Sequence, residues 1–351
     1  MTISQRSTVK LRGRQGLLVA APAMLGFHPQ ESMVMLCLVG PQRRVGPVMR
    51  VDLRPDDGRD DADRDLAATF GEIAWEHADE VALLCYTDSA HTPPFARTVI
   101  DELQGIGLHI TDAARVTAGR AWTIPAPPPG TDESDFADED DGCEVPDGQD
   151  PQVQMMAAAI ALNGRGILPD RPALRRSIDG PTGQAAVRAS AALRAAVHGF
   201  LGTEGVAFGR RRLHRMAEHI VDAALDESTS GSLSPATTSQ LVLLLRDHRA
   251  RDEVIVHSLV DTQQPWLPML IAAARAVPDE YAAEICAVLA VAAYGVGDGA
   301  LAQVAVDRCR RVEPGHGLAR LMLEAMNTGL RPAALFDALV PDLDLSPGKG
   351  G

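Results

Sequence analysis

The sequence predicts an α+β protein. An N-terminal mixed β-sheet with two helices, in the order ββαβαββ, is followed by an all-α C-terminal domain that carries a tetratricopeptide-like hairpin. Three observations lead there. Ahead of residue 125, apolar runs of strand length alternate with segments of helical periodicity. Beyond residue 151 the helical period is almost unbroken and strand-type alternation is absent. Between them lies a segment rich first in Pro and then in Asp and Glu, which buries too little apolar surface to offset its ordering entropy. At roughly 150 residues per domain, 351 residues suit two domains. The expected boundaries are 1–124 for the mixed domain, 125–150 for a disordered linker or loop, 151–341 for the helical domain and 342–351 for a flexible tail.

The elements follow in order. Residues 33–39 form a continuous apolar run that stops at Gly40-Pro41, the pattern of a strand covered on both faces. Residues 42–46 are polar and read as a hairpin loop. Residues 47–53 alternate, with Met49, Val51 and Leu53 on one face and Val48, Arg50 and Asp52 on the other. A charged loop over 54–64 leads to Leu66, Phe70, Ile73, Ala74 and His77 at helical spacing. Residues 81–86 are a second buried strand. Residues 88–91 with Pro93-Pro94 mark a helix start, because Pro is tolerated in a first turn. Phe95, Ala96, Val99, Ile100 and Leu103 give that helix its stripe, and Gly105 and Gly107 end it. Residues 108–116 and 120–124 read as a last hairpin. In the second half, helices are expected over 152–163, 171–178, 182–200, 206–228, 236–247, 250–262, 265–276, 279–295, 299–312, 316–328 and 331–339.

Composition bounds the function. The chain is 46% hydrophobic and 23% charged, a globular mixture that excludes a collagenous, wholly disordered or disulfide-scaffold protein. The formal charge is −14, but residues 131–150 hold ten acids and no base, so the remainder carries only −4. No overall basic balance is present to displace counterions from a duplex, and nucleic acid is not expected as a partner. The basic residues are 31 Arg and two Lys, a skew that suits a GC-rich genome. Five Cys, none at C-x-x-C spacing and four within apolar runs, point to a reducing compartment. Lys10, Arg12 and Arg14 ahead of the apolar stretch 17–27 mimic a signal peptide, but Pro22 interrupts it and the stretch leads into the first strand. The longest later apolar stretch, 285–296, falls short of the ~20 residues of a membrane span. A cytoplasmic protein without a membrane partner is the expectation.

Several passages carry a family likeness. They are Leu25-Gly26-Phe27-His28-Pro29-Gln30-Glu31-Ser32 running into the first strand, Arg50-Val51-Asp52-Leu53, and a late stretch. The late stretch holds Gly297-Asp298-Gly299-Ala300-Leu301-Ala302, Val306-Asp307-Arg308, Pro314-Gly315-His316 and Leu318-Ala319-Arg320-Leu321. With these the chain resembles the actinobacterial family catalogued as domain of unknown function 4192, from about residue 10 to residue 332. The resemblance implies no catalytic residue. Members often continue after Gly119–Trp122 with a Cys-containing segment, whereas Pro and acidic residues stand here with Cys143 alone. The late stretch also looks like one tetratricopeptide hairpin, with Leu289, Ala290, Ala302 and Pro314 at its large, small, small and terminating positions.

Three sets of residues bear on chemistry. Asp52, Asp88 and His91 lie near strand ends, where ligands of α/β sheets bind, and two carboxylates there can hold Mg²⁺ if their strands are parallel neighbours. The alternative places Asp88 at a helix cap and pairs Asp52 with Arg50. Gly26, Phe27, Pro29, Glu31 and Ser32, with Arg50, form a candidate binding turn, or a rigid loop that sets strand register. The basic run 209–215 and the i,i+4 pair His214 and Glu218, with His219 adjacent, read as a solvated helix face. Met155-Met156 and Met322 with Met326 read as core. No phosphate loop, dinucleotide fingerprint or nucleophile elbow occurs, and no cofactor or metal is implied. The expectation is a non-enzymatic protein- or peptide-binding regulatory protein. The rival is a metal-dependent hydrolase or phosphoryl-transfer enzyme built on Asp52 and Asp88.

Overall fold

The computed structural model describes residues 9–53, 60–125, 142–161, 166–201, 205–260 and 265–339. The chain divides into two compact units, Met1–Arg171 and Pro172–Gly351. Most of the expected linker, and the whole of the expected tail, lie outside the described residues.

The first unit contains α1 (Gly13–Leu25), β1 (Ser32–Val39), β2 (Arg44–Asp52), α2 (Asp60–His77), β3 (Glu80–Tyr86), α3 (Pro94–Gly105), β4 (His109–Thr117), β5 (Arg120–Thr123), β6 (Cys143–Glu144) and α4 (Pro151–Ala161). The strands form one sheet in the order β2-β1-β3-β4-β5-β6. Only β3 and β4 pair in parallel; every other neighbour is antiparallel. β1 lies inside the sheet, and seven of its eight residues are buried, as its unbroken apolar run requires.

Alternation along β1 sends Met33, Met35 and Cys37 to one face. There they join Phe70 and Ala74 of α2 and Phe95, Val99 and Leu103 of α3 in a single core. Ser32, Val34 and Leu36 point to the other face and are fully buried. Over that face α1 is tied by Arg14, whose Nη2 donates to Asp112 at 2.7 Å and to Thr123 at 3.0 Å.

The architecture differs from ββαβαββ by two additions. The 17–27 stretch, expected to feed directly into a strand, forms α1 instead. It keeps Pro22 in its last turn, and the left-handed Gly26 (φ 74°) ends it by donating to Pro22 O. A sixth strand, β6, pairs with β5. Helix α2 begins at Asp60, so part of the expected charged loop is helical. Helix α4 packs on α1 within the first unit.

The second unit is helical. It comprises α5 (Arg171–Arg176) at its boundary, α6 (Gly183–Leu201), α7 (Gly205–Ser228), α8 (Pro235–Leu245), α9 (His248–Val260), α10 (Trp266–Ala276), a 3₁₀ turn (Asp279–Tyr281), α11 (Ala282–Gly295), α12 (Gly299–Val312), α13 (Gly317–Asn327) and α14 (Pro332–Leu339). Every residue from 282 to 293 is buried except Glu284. A helix apolar on all sides belongs in a core, and α11 packs on α8, α9, α10, α12, α13 and α14. Among the described residues, no helix is long and apolar enough to cross a membrane.

Candidate functional site

The turn ahead of β1 is held on both sides. Gly26 O accepts from Leu168 N at 2.8 Å and His28 N donates to Leu168 O at 3.0 Å, so the 166–170 segment pins Phe27 under the sheet. Phe27 is 2% exposed, and the Arg50 guanidinium stands 5.6 Å from its ring centroid. Pro29 is buried. Glu31 adopts φ 38°, a left-handed backbone that a side chain disfavours by about 1 kcal/mol or more. Its contacts explain why the conformation persists. Glu31 O accepts from Leu53 N at 2.8 Å, and its carboxylate accepts from Asp88 N at 2.6 Å and from the Thr87 hydroxyl at 3.3 Å. One residue thus staples the ends of β2 and β3.

Register then aligns a row of polar side chains. Ser32 lies opposite Asp52 on one side and Tyr86 on the other, while Val34 opposes Arg50. Paired residues share a face, so Ser32, Asp52, Tyr86 and Arg50 all point to the side away from the α2/α3 core. Asp52 bridges two guanidinium groups, with Oδ1 at 2.5 Å from Arg50 and Oδ2 at 3.3 Å from Arg171. Ser32 Oγ, Tyr86 Oη and Arg50 Nε are buried and make no hydrogen bond among the described residues. Burial raises the Tyr86 hydroxyl pKa well above its ordinary value, which keeps it a neutral donor.

The structure places the other candidates differently. β2 and β3 run parallel, but β1 stands between them, so the adjacency that an Asp52–Asp88 metal pair requires is missing. Asp88 and His91 are exposed. Helix α3 begins at Pro94 with no side-chain cap, so Asp88 does not cap it. Asp52 takes the Arg50 pairing. Among the described residues, no three His, Cys, Asp or Glu side chains gather as a metal cage. Met155 is 45% exposed and α4 buries no residue, contrary to a core role, whereas Met322 is buried. Glu218 and His219 are exposed, and the side chains of 209–215 lie outside the described residues.

In the helical unit the late motifs hold the scaffold. Asp298 caps α12 by accepting from Leu301 N at 3.0 Å. His316 caps α13 through Nδ1, which accepts from Ala319 N at 3.3 Å. Its Nε2 stands 3.3 Å from Glu284 Oε2, at ion-pair distance. Burial raises the Glu284 pKa, but His316 and then Arg251, 3.6 Å away, outweigh it and hold the carboxyl below its ordinary value. Arg308, 1% exposed, donates to Ile178 O, to Ala274 O at 2.7 Å and to Val277 O at 3.0 Å, and its Nε bonds Asp279 at 3.1 Å. Beside Glu284 a cleft of about 220 Å³ is lined by Val242, Arg246, Glu280, Tyr281, Ala283, Val312 and Glu313.

Residues 15–333 match the family model described as Domain of unknown function (DUF4192). The chain belongs to that family. The match spans all the motifs just described, from the turn before β1 to the caps of α12 and α13. No curated protein and no solved structure matches the chain.

Sequence reasoning selected Phe27, Ser32, Arg50 and Asp52 but missed Tyr86 and Arg171. Tyr86 closes an apolar run and reads as core. Only the antiparallel register of β1 with β3 brings it beside Ser32.

Proposed function

We propose that this member of the DUF4192 family is a non-enzymatic binding or regulatory protein that docks a protein or peptide on its helical unit. The cleft beside Glu284 carries the reading. Its floor is apolar at Val242, Ala283 and Val312, while Glu280, Glu284 and Glu313 outnumber Arg246 around it. A basic side chain flanked by apolar residues suits that lining, with the charge desolvated only in part. The α11–α12 hairpin supports a tetratricopeptide-like comparison. A three-residue connection makes the helices antiparallel neighbours, Leu289, Ala290 and Ala302 are fully buried, and Pro314 follows the second helix. Asp298, Arg308 and His316 are engaged in caps and carbonyl contacts, which suits a scaffold role.

The test is capture from native extract by the tagged full chain, alongside a Glu280→Lys/Glu313→Lys variant. Both positions are exposed; Glu280 also accepts from the Ser190 hydroxyl at 2.5 Å, so circular dichroism must verify that the variant keeps the fold. The reading expects a stoichiometric partner that the variant loses. No stoichiometric partner, or one retained equally by the variant, counts against it.

A further inference from the structure

Several buried polar atoms of the first unit make no hydrogen bond among the described residues, and three of them, Ser32 Oγ, Tyr86 Oη and Arg50 Nε, stand on one face at one end of the sheet. Arg50 Nε can only donate, and the hydroxyls of Ser32 and Tyr86 can both donate. Ser32 is 0% exposed. Leaving buried donors unpaired is costly, so their clustering calls for an acceptor. Register supplies proximity. Ser32 is directly opposite Tyr86, and Arg50 is the diagonal neighbour of Ser32 across β1 and β2.

We propose that this end of the sheet binds an oxyanion, a carboxylate or phosphate group carried by a small molecule, against the Nε/Nη2 edge of Arg50. Asp52 shows how the site is kept ready. Its Oδ1 occupies Nη2 of Arg50 at 2.5 Å while Nε, on the same edge of the guanidinium, stays open. Its Oδ2 already lies 3.3 Å from Arg171. The Asp52 side chain is 59% exposed, whereas that of Arg50 is 12% exposed, so Asp52 is the movable partner. An incoming oxyanion takes both nitrogens of the Arg50 edge, with Asp52 retained by Arg171. Ser32 and Tyr86 donate to the remaining oxygens. Phe27 beneath the guanidinium fixes its plane. The nearby Glu31 carboxylate is turned to Asp88 N and Thr87.

The experiment is an NMR titration of the Arg50 Nε–H signal with inorganic phosphate and, separately, with acetate, at constant ionic strength. Saturable shifts in the wild-type protein are expected with at least one probe, and the preferred probe identifies the class of group. Asp52→Asn removes the internal competitor and should tighten binding about tenfold, equivalent to about 1.4 kcal/mol. Tyr86→Phe should weaken it several-fold while preserving the fold. Arg50→Gln should abolish saturable binding, read by calorimetry. Absence of saturation in both wild type and Asp52→Asn overturns the proposal. So does unchanged affinity in Arg50→Gln or in Tyr86→Phe, since binding would then lie elsewhere.

Discussion

Replacing Arg308 with Met should destabilise the helical unit by several kcal/mol, and the structure says why. The guanidinium is buried and holds three backbone carbonyls from two separate stretches of chain, Ile178 on one side and Ala274 and Val277 on the other. Ala274 lies in the last turn of α10, where helix carbonyls have no partner of their own, and a cation there also suits the helix dipole. Methionine fills much of the volume but donates nothing. Each stranded carbonyl costs about 1–3 kcal/mol before water enters, while the half-exposed Asp279 is rehydrated at little cost. The net loss should be about 3–5 kcal/mol, the range for removing one partner from a buried charged contact. For a unit of this size that corresponds to a fall of about 6–20 °C in Tm. Arg308→Lys keeps the charge but not the fork and should lose about half as much. Gly180→Ala approaches the same node from another direction. Its added Cβ would lie 2.0 Å from Val277 O and 2.5 Å from Arg308 Nη2, so it too should destabilise. Urea and thermal unfolding followed by far-ultraviolet circular dichroism measure all three variants. An Arg308→Met protein within about 1 kcal/mol of wild type would refute the reasoning.

Two further outcomes are expected. Burial raises the thiol pKa of Cys37, Cys85 and Cys309 to about 12 and that of Cys286 to about 11, so the native protein should alkylate at half-exposed Cys143 and at the other four only in denaturant. Mass-spectrometric mapping checks this, and native labelling of Cys37 or Cys286 would contradict it. The Glu284 carboxyl is held below its ordinary pKa, and so is Glu227, where the Thr237 and Ser234 contacts outweigh burial. A depressed folded pKa gives stability that is present above the unfolded value, about 4.3, and is lost as pH falls through the folded value. The urea midpoint should therefore fall with acidification in that window. The decline should be shallower in Glu284→Gln/Glu227→Gln, and an identical slope would show that these groups are not coupled to folding.

Much of the fold was legible because local pattern and tertiary burial agree. The continuous run in β1 and the alternation in β2 are what two-sided and one-sided coverage demand. In the helical half the periodic stripes marked nearly every helix within a few residues. Helix α1 was not legible, since eight of its thirteen residues are buried and Pro22 interrupts it, so neither a clear stripe nor a clean stop remains. The two-residue β6 carries no sequence signal at all. Sheet order depends on long-range pairing, and β1 stands between β2 and β3, so the strand adjacency assumed for Asp52 and Asp88 is absent. The same pairing created the Ser32–Tyr86 neighbourhood, for which the sequence offered only the Phe27–Ser32 turn and Arg50. The late motifs drew attention as family markers, and their physical role as caps and carbonyl donors follows only from the packing.

Helix α11 behaves as an axle. A linear stack of hairpins can lose a terminal repeat and reseal, because each repeat leans only on the next. Here six spokes surround one greasy rod, and removing any of them would bare a strip of it to water. Such a body resists piecemeal shortening or duplication. Change is best tolerated on the outward rims of the spokes and in the loops that join them.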